Sequence, residues 1–336
     1  MSMNPFSRLL VFASLYVSTV ASAQQTQSSA SDPRLIVLSK NERLLSIVDP
    51  ATLRILAQVP TGPDPHEVVA SSDGRRAYVS NYGGGDYNTI TIIDLVTPKS
   101  LGTVDLGALR GPHGLHFVAG KVWFTAEAAK VIGSYDPATG KIDLVLGSGQ
   151  DGTHMIYAFP DQTRLVTTNV GSASVTIFEK RAGPRPNWGA TTLPAGQRVE
   201  GFDVSPDGKT IWAANAGDGT ITIIDVATKT VANFQANVQG ANRLKFTPDG
   251  RTVLVSTLRA ADLHVIRASD HTEVKRIPVG TGAAGIEIQP DGTRAYVACS
   301  PDNYVAVVDL KSYAVVGRIN AGANPDGLAW AVVPRR

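Results

Sequence analysis

Cysteine is almost missing from this chain: Cys299 is the only one among 336 residues. A lone thiol cannot form an intrachain disulfide, and it excludes both a C-x-x-C redox pair and a C-x-x-C-H haem attachment. Long apolar runs are equally scarce. The longest, Leu9 to Val20, falls short of the roughly 20 residues a membrane-spanning helix needs, so no membrane span is expected. No stretch carries the 3.6-residue apolar period of an amphipathic helix, so helices should be nearly absent. Charge of one sign is not in excess either, with 31 Lys and Arg against 29 Asp and Glu. The basic residues form no stripe, which argues against a nucleic-acid partner. There is no G-x-S-x-G elbow and no glycine loop placed to cradle a phosphate before a helix. Stability must therefore come from packed sheet, and any chemistry from side chains brought together by the fold.

What is present begins with an address. Arg8 supplies a positive n-region, the apolar run follows, and Ala21-Ser22-Ala23 fits a small-residue cleavage site. Residues 1–23 are expected to be a signal peptide, which places the mature chain in the periplasm or outside the cell. Residues 24–33, QQTQSSASDP, are polar and low in complexity and read as a disordered spacer. From residue 34 to 336 the chain reads as one domain. Its 32 glycines and 20 prolines punctuate short runs rich in Val, Ile, Thr and Tyr, the pattern of strands and turns.

A self-similar unit of about 42 residues runs the whole mature length. One copy reads EGFDVSPDGKTIWAANAGDGTITIIDVATKTV from Glu200, and others start at His66, His113, His154, Asn242 and Ala284. Each holds four apolar runs separated by a P-D-G type turn, a longer polar loop and an Asp-led turn, which makes one four-stranded blade. The last copy stops soon after Asp326, while the segment from Leu35 lacks an opening strand. Joining the two ends closes a ring of seven blades and leaves no unpaired edge. The expected fold is thus an all-β, seven-bladed β-propeller whose C-terminal strand pairs with the N-terminal strands.

The strands AYVSN at Ala77, LVTTN at Leu165, IWAAN at Ile211 and AYVAC at Ala295 resemble the YVTN-type β-propeller repeat over essentially all of the mature chain. PHGLHF, VWFTAE and IGSYDPATGKI, between Pro112 and Ile142, are similar to the repeat of streptogramin-lyase-type propellers, and a looser similarity runs to seven-bladed lactonases. The first resemblance implies the fold and leaves function open, because a shared fold does not confer an activity. The other two bring enzymes into view.

Framework residues recur at equivalent positions, so a site should break the repeat. Eight residues before the end of each tight turn, or seven in the shortened second copy, the chain enters the innermost strand at the channel mouth. That position holds His66, His113, His154, Glu200, Asn242, Ala284 and Asp326 in order around the ring. Three of the six histidines share it, while His116, His264 and His271 lie elsewhere. Three imidazoles and a carboxylate suit a divalent ion, with Zn, Mn, Cu and Ni undistinguished by ligand type. The competing reading is a wet channel lined by imidazoles that bind nothing tightly. No other cofactor is expected.

Loops at the same end add candidates. The loop YGGGDYNT brings Tyr82 and Tyr87 beside Asn81, and with Asn242 and Asp326 these form a set of ligand-binding candidates. Glu127 stands just past the position where Asn81, Asn169 and Asn215 recur, either as a partner for His113 or, with Glu200, as an acid-base residue. Cys299 occupies that recurring position in a later blade and reads as a small buried hydrophobe. Trp188, in the insertion KRAGPRPNWG, should lie on the opposite face as a hydrophobic anchor. Two functions follow. One is an exported platform that binds a small molecule, protein or peptide at the channel mouth; the alternative is a metal-dependent lyase or hydrolase using the histidine-rich site.

Overall fold

The computed structural model describes residues 31–183 and 187–335. The expected signal peptide, residues 1–23, and most of the spacer lie outside the described residues. Among these residues, twenty-eight strands group into seven four-stranded antiparallel sheets, each a blade. Blades one to six span residues 65–105, 112–147, 153–194, 199–235, 241–278 and 283–319. The seventh combines residues 31–60 with the inner strand Pro325–Pro334. A single short 3₁₀ turn, Gly83–Gly85, is the only helical element among the described residues. As the ends of the sequence suggest, the ring closes by strand pairing: Leu35 faces Trp330 and Val37 faces Leu328. The pairing starts at Ser31, opposite Pro334, so residues 31–33 join the sheet.

The repeat translates directly into turns. In the P-D-G turns the Asp carboxylate accepts a backbone N–H two residues on, as Asp207 does from Lys209 (3.1 Å) and Asp249 from Arg251 (3.0 Å). The following residue needs a left-handed backbone, which Gly208 supplies at φ 71°. Asp49, Asp94, Asp225 and Asp309 cap the outer turns by accepting an N–H two or three residues on. Alternating residues of neighbouring sheets pack into seven apolar clusters, one for each pair of adjacent blades. Asn81, Asn169 and Asn215 are fully buried. Their amides bond hydroxyls of the next strand, Asn81 to Thr89 (2.8 Å) and Thr91 (3.0 Å). These asparagines are framework, which explains why they recur.

Inner strands approach one another closely at the channel. A Cβ on Gly114 would sit 2.6 Å from the His154 carbonyl oxygen, and one on Gly327 would sit 2.6 Å from that of His66. Only glycine permits that approach.

Candidate functional site

In every blade the ring position is the second residue of the inner strand, as in Pro65–Ala70, Pro112–Val118 and Thr153–Ala158. At that point each of the six strands from His66 to Ala284 carries a β-bulge. The extra residue breaks the ladder and re-aims the local side chains. A hydroxyl on the neighbouring strand repairs the loss. Ser80, Thr125, Thr168 and Ser256 each accept an N–H from their own inner strand and donate to the carbonyl of the ring residue in the next blade. The recipients are His113 (2.9 Å), His154 (2.7 Å), Glu200 (2.6 Å) and Ala284 (2.7 Å). The main chain bearing the site is thereby pinned from blade to blade.

The side chains converge on one side of the mouth. The His66 and His113 rings lie 4.3 Å apart and the His113 and His154 rings 3.8 Å apart. His154 sits between two carboxylates, with Nδ1 3.3 Å from Glu127 and Nε2 3.0 Å from Glu200. His113 is 1% exposed, and its Nδ1 is buried with no hydrogen-bond partner. Ligand atoms of His113, Glu127 and His154 all lie within 4.8 Å of one another. Tyr82 closes over the cluster, its ring 4.8 Å from His113 and 5.1 Å from His66.

The seven ring residues do not act as one set. His66 has partners outside the trio: the Lys40 ammonium donates to its Nδ1 (2.6 Å), and Asp326 accepts from Lys40 at 3.1 Å. Glu200 also takes a hydrogen bond from Arg198 (3.2 Å). Asn242 accepts from Arg243 at 3.2 Å. Tyr87 is exposed and packs beside Gly83. His264 is on an outer strand of the fifth blade, bonded to Glu273 at 2.6 Å, and His271 stacks on Phe234. Cys299 is fully buried, and burial pushes its thiol up to about 11. Trp188 packs against the apolar cluster that contains Trp123.

Lys40 and the ion pair between Arg243 and Glu67 escape a reading confined to the ring position. A signal for Lys40 exists. The residue just past the second strand of each blade is Lys40, Tyr82, Glu127, Val170, Ala216, Leu258 and Ser300. The two side chains that sit on the histidines and the one that bonds His154 fall consecutively in this second series. Arg243 and Glu67 follow their ring residues directly, where Gly114, Gly201, Gly285 and Gly327 leave room for them.

Electrostatics divide the cluster further. Burial, with the neighbouring His154 and His66, holds His113 well below the usual imidazole range. Burial also lowers His66 despite Asp326. Both are neutral near pH 7 and have lone pairs to offer. Burial pulls His154 down too, but its hydrogen bonds to Glu127 and Glu200 outweigh this and raise it. Burial pushes Glu200 up, yet the bond and charge of His154, with Arg243 and Arg198, hold it at about 2. Burial and the adjacent Glu127 raise the Tyr82 phenol.

Tetrahedral ligands about 2.0–2.1 Å from a zinc ion stand about 3.3 Å from each other. The Glu127–His154 spacing of 3.3 Å matches that distance, and an ion there would take the place of the proton that bridges the pair on the raised His154. Glu200 on the far nitrogen of His154 completes a carboxylate–histidine pair of the kind that orients a metal ligand. The arrangement is suited to holding a divalent cation with one face open to the mouth, a space of about 290 Å³ lined by Lys40, His66, His154 and Asp326 among others.

Comparison with known proteins agrees with the fold. The family profile described as YNCE-like beta-propeller matches residues 9–335. None of the curated proteins matches the chain in sequence. Among solved structures, a functionally unknown protein from Desulfotomaculum acetoxidans superposes with a TM-score of 0.73 at 17% identity, covering 90% of this chain and 99% of its own. Kuenenia stuttgartiensis hydrazine synthase gives 0.72 at 17% identity, over 82% and 92% of the two chains. A provisional 6-phosphogluconolactonase from Bacteroides fragilis gives 0.72 at 17% identity, over 91% and 99%. At these identities the likeness is one of fold. No helix among the described residues is long and apolar enough to cross a membrane.

Proposed function

The chain belongs to the YNCE-like β-propeller family, and on that scaffold we propose that it is an exported binding platform which holds one divalent metal ion at its channel mouth and uses it to capture a small ligand. The ligands are His113, Glu127 and His154. The observation that carries this reading is the buried, unpartnered Nδ1 of His113 beside Glu127 and His154. A buried polar atom without a partner is costly, and an ion in the cluster removes the cost. In this assignment Glu200 orients His154, and His66 serves with Lys40 and Asp326 as the polar wall that meets the ligand. Export rests on the signal-peptide pattern of residues 1–23, and intact mass of the exported protein should begin at Gln24.

The alternative, a metal-dependent lyase or hydrolase, needs a group that exchanges a proton near neutral pH. Glu200 at about 2 has almost no basicity there, and the raised Tyr82 is no better as a base. A carboxylate that stays ionised and a phenol that stays protonated do not exchange protons near neutrality, and the former suits holding a cation. Elemental analysis of protein purified without a polyhistidine tag tests the proposal: about one divalent ion per chain is expected, lost in His113→Ala and retained in His264→Ala. A metal-free wild type that also fails to take up added Zn, Mn, Cu or Ni overturns it.

A further inference from the structure

Below the mouth, the residue three places after each ring position gives a third series: Val69, His116, Tyr157, Asp203, Lys245, Glu287 and Ala329. Their equivalence is structural, since each pairs in the same register with its neighbouring strand, as His116 with Trp123, Lys245 with Leu254 and Glu287 with Tyr296. Five consecutive blades carry polar or titratable groups here, and the other two carry valine and alanine. The five run from the second blade to the sixth, so the symmetry is broken on one side of the ring. His116, Lys245 and Glu287 line a cavity of about 360 Å³ together with Phe117, Met155 and Trp330. That volume lies within the range of small-molecule sites. The cavity reaches Ala70, the last residue of the first inner strand, so it extends away from the mouth. Arg243 and Glu67, joined across the channel, form its roof.

The hydrogen bonding within this chamber is lopsided. Both Asp203 oxygens are taken by backbone N–H groups, from Val204 (3.0 Å) and Phe246 (2.9 Å). Glu67 is taken by Arg243. Ala158 donates its N–H to His116 Nδ1 (3.0 Å), which leaves the imidazole proton on Nε2. Tyr157 stacks on that imidazole, with centroids 4.6 Å apart. The Lys245 and Glu287 side chains make no hydrogen bond to any other described residue, so the lysine's three N–H donors are free. Lys245 offers open donors, while the unengaged oxygens of Glu287 are acceptors until it is protonated, so the chamber has the polarity of an anion site in its protonated form.

We propose that this chamber binds a small organic carboxylate with an apolar body, its carboxylate seated on Lys245 with Glu287 and His116 as further donors and its body against Trp330 and Phe117. Glu287 donates only when protonated. Burial raises it to about 7, against the pull of Lys245 and with the push of Asp203, so it is half protonated near neutrality. Of the other groups facing it, Lys245 is raised, chiefly by Asp203, and burial lowers His116 to about 4, so both hold their state near neutrality, while burial raises Asp203 against the pull of Lys245 and its two backbone N–H bonds. Carboxylate binding therefore strengthens as pH falls through about 7.

Calorimetric titration with benzoate, under chelator so that no metal at the mouth contributes, tests the assignment. Benzamide is the neutral isostere and benzylammonium the cation. Benzoate should bind at least about tenfold tighter than either, as expected when a charged partner at a buried ammonium is replaced. Affinity should rise by up to about tenfold from one pH unit above the Glu287 value to one unit below it. Lys245→Met should abolish binding. If that variant does not fold, Glu287→Gln decides, because it mimics the protonated acid: it should bind benzoate with no pH dependence across that range. His113→Ala should leave the titration unchanged. Equal binding of benzamide, preference for benzylammonium, undiminished binding by folded Lys245→Met, loss of binding in His113→Ala, persistent pH dependence in Glu287→Gln, or no heat with benzoate each overturns the proposal.

Discussion

Arg243, on the fifth blade, spans the channel to hydrogen-bond Glu67 on the first, and both side chains are largely buried. This ion pair separates the mouth from the chamber below. Removing one partner strands a buried charge, so Arg243→Met should cost about 3–5 kcal/mol, whereas Glu67→Leu combined with Arg243→Met should recover most of that loss. Denaturant unfolding of the two single variants and the double variant measures it. A double variant as unstable as the sum of the singles would show that the two residues stabilise the fold separately.

The bond from His154 Nε2 to Glu200 (3.0 Å) should matter to metal affinity without being indispensable. Glu200→Gln is expected to weaken zinc about 10–100-fold, the usual effect of removing an outer partner. Glu127→Ala should instead abolish binding. Competition titration separates these outcomes, and equal losses would place Glu200 on the metal.

Thr125 bridges the Gly114 N–H (2.9 Å) and the His154 carbonyl (2.7 Å). Thr125→Val keeps the shape and leaves both groups unsatisfied, so it should destabilise the protein by about 1–3 kcal/mol. Thermal unfolding checks this, and a value within error of wild type would mean that the bulge finds other partners.

The half-buried imidazole of His116 is lowered, chiefly by burial, to about 4 from an ordinary 6.5. Between those values the unfolded chain takes up a proton and the folded one does not. Stability attributable to this residue is therefore complete above about pH 6.5 and lost as pH falls toward 4, by up to about 3 kcal/mol. His116→Asn keeps an acceptor for the Ala158 N–H and does not titrate. Its unfolding free energy should fall less steeply over that interval than that of wild type, and parallel curves would refute the assignment.

Closure by residues 325–334 leads to a further expectation. Deleting the chain from Pro325 strips the inner strand from the seventh blade and exposes partners of the buried Leu328, Ala331 and Val333. The loss should exceed about 5 kcal/mol from apolar burial alone. Scanning calorimetry should show aggregation or a much lower transition, and a melting curve like that of the full chain would contradict closure.

The blades, the turns and the closure of the ring are legible along the chain because local physics sets them. Strands alternate with period two, Asp and Gly satisfy the turns, and each repeat has to bury the same faces against its neighbours. The ring position is legible for the same reason, since a residue that departs from an otherwise repeated framework stands out. The partners of each ring residue are not. His154 lies between Glu127 and Glu200, and His66 bonds Lys40, pairings that depend on ångström-scale approach between blades across bulged strands. Asn81, a ligand-binding candidate by its loop, is a buried amide bonded to Thr89. Arg243 and Glu67, 176 positions apart, meet only because closing the ring sets the first and fifth blades across one narrow channel, a distance that no local pattern encodes.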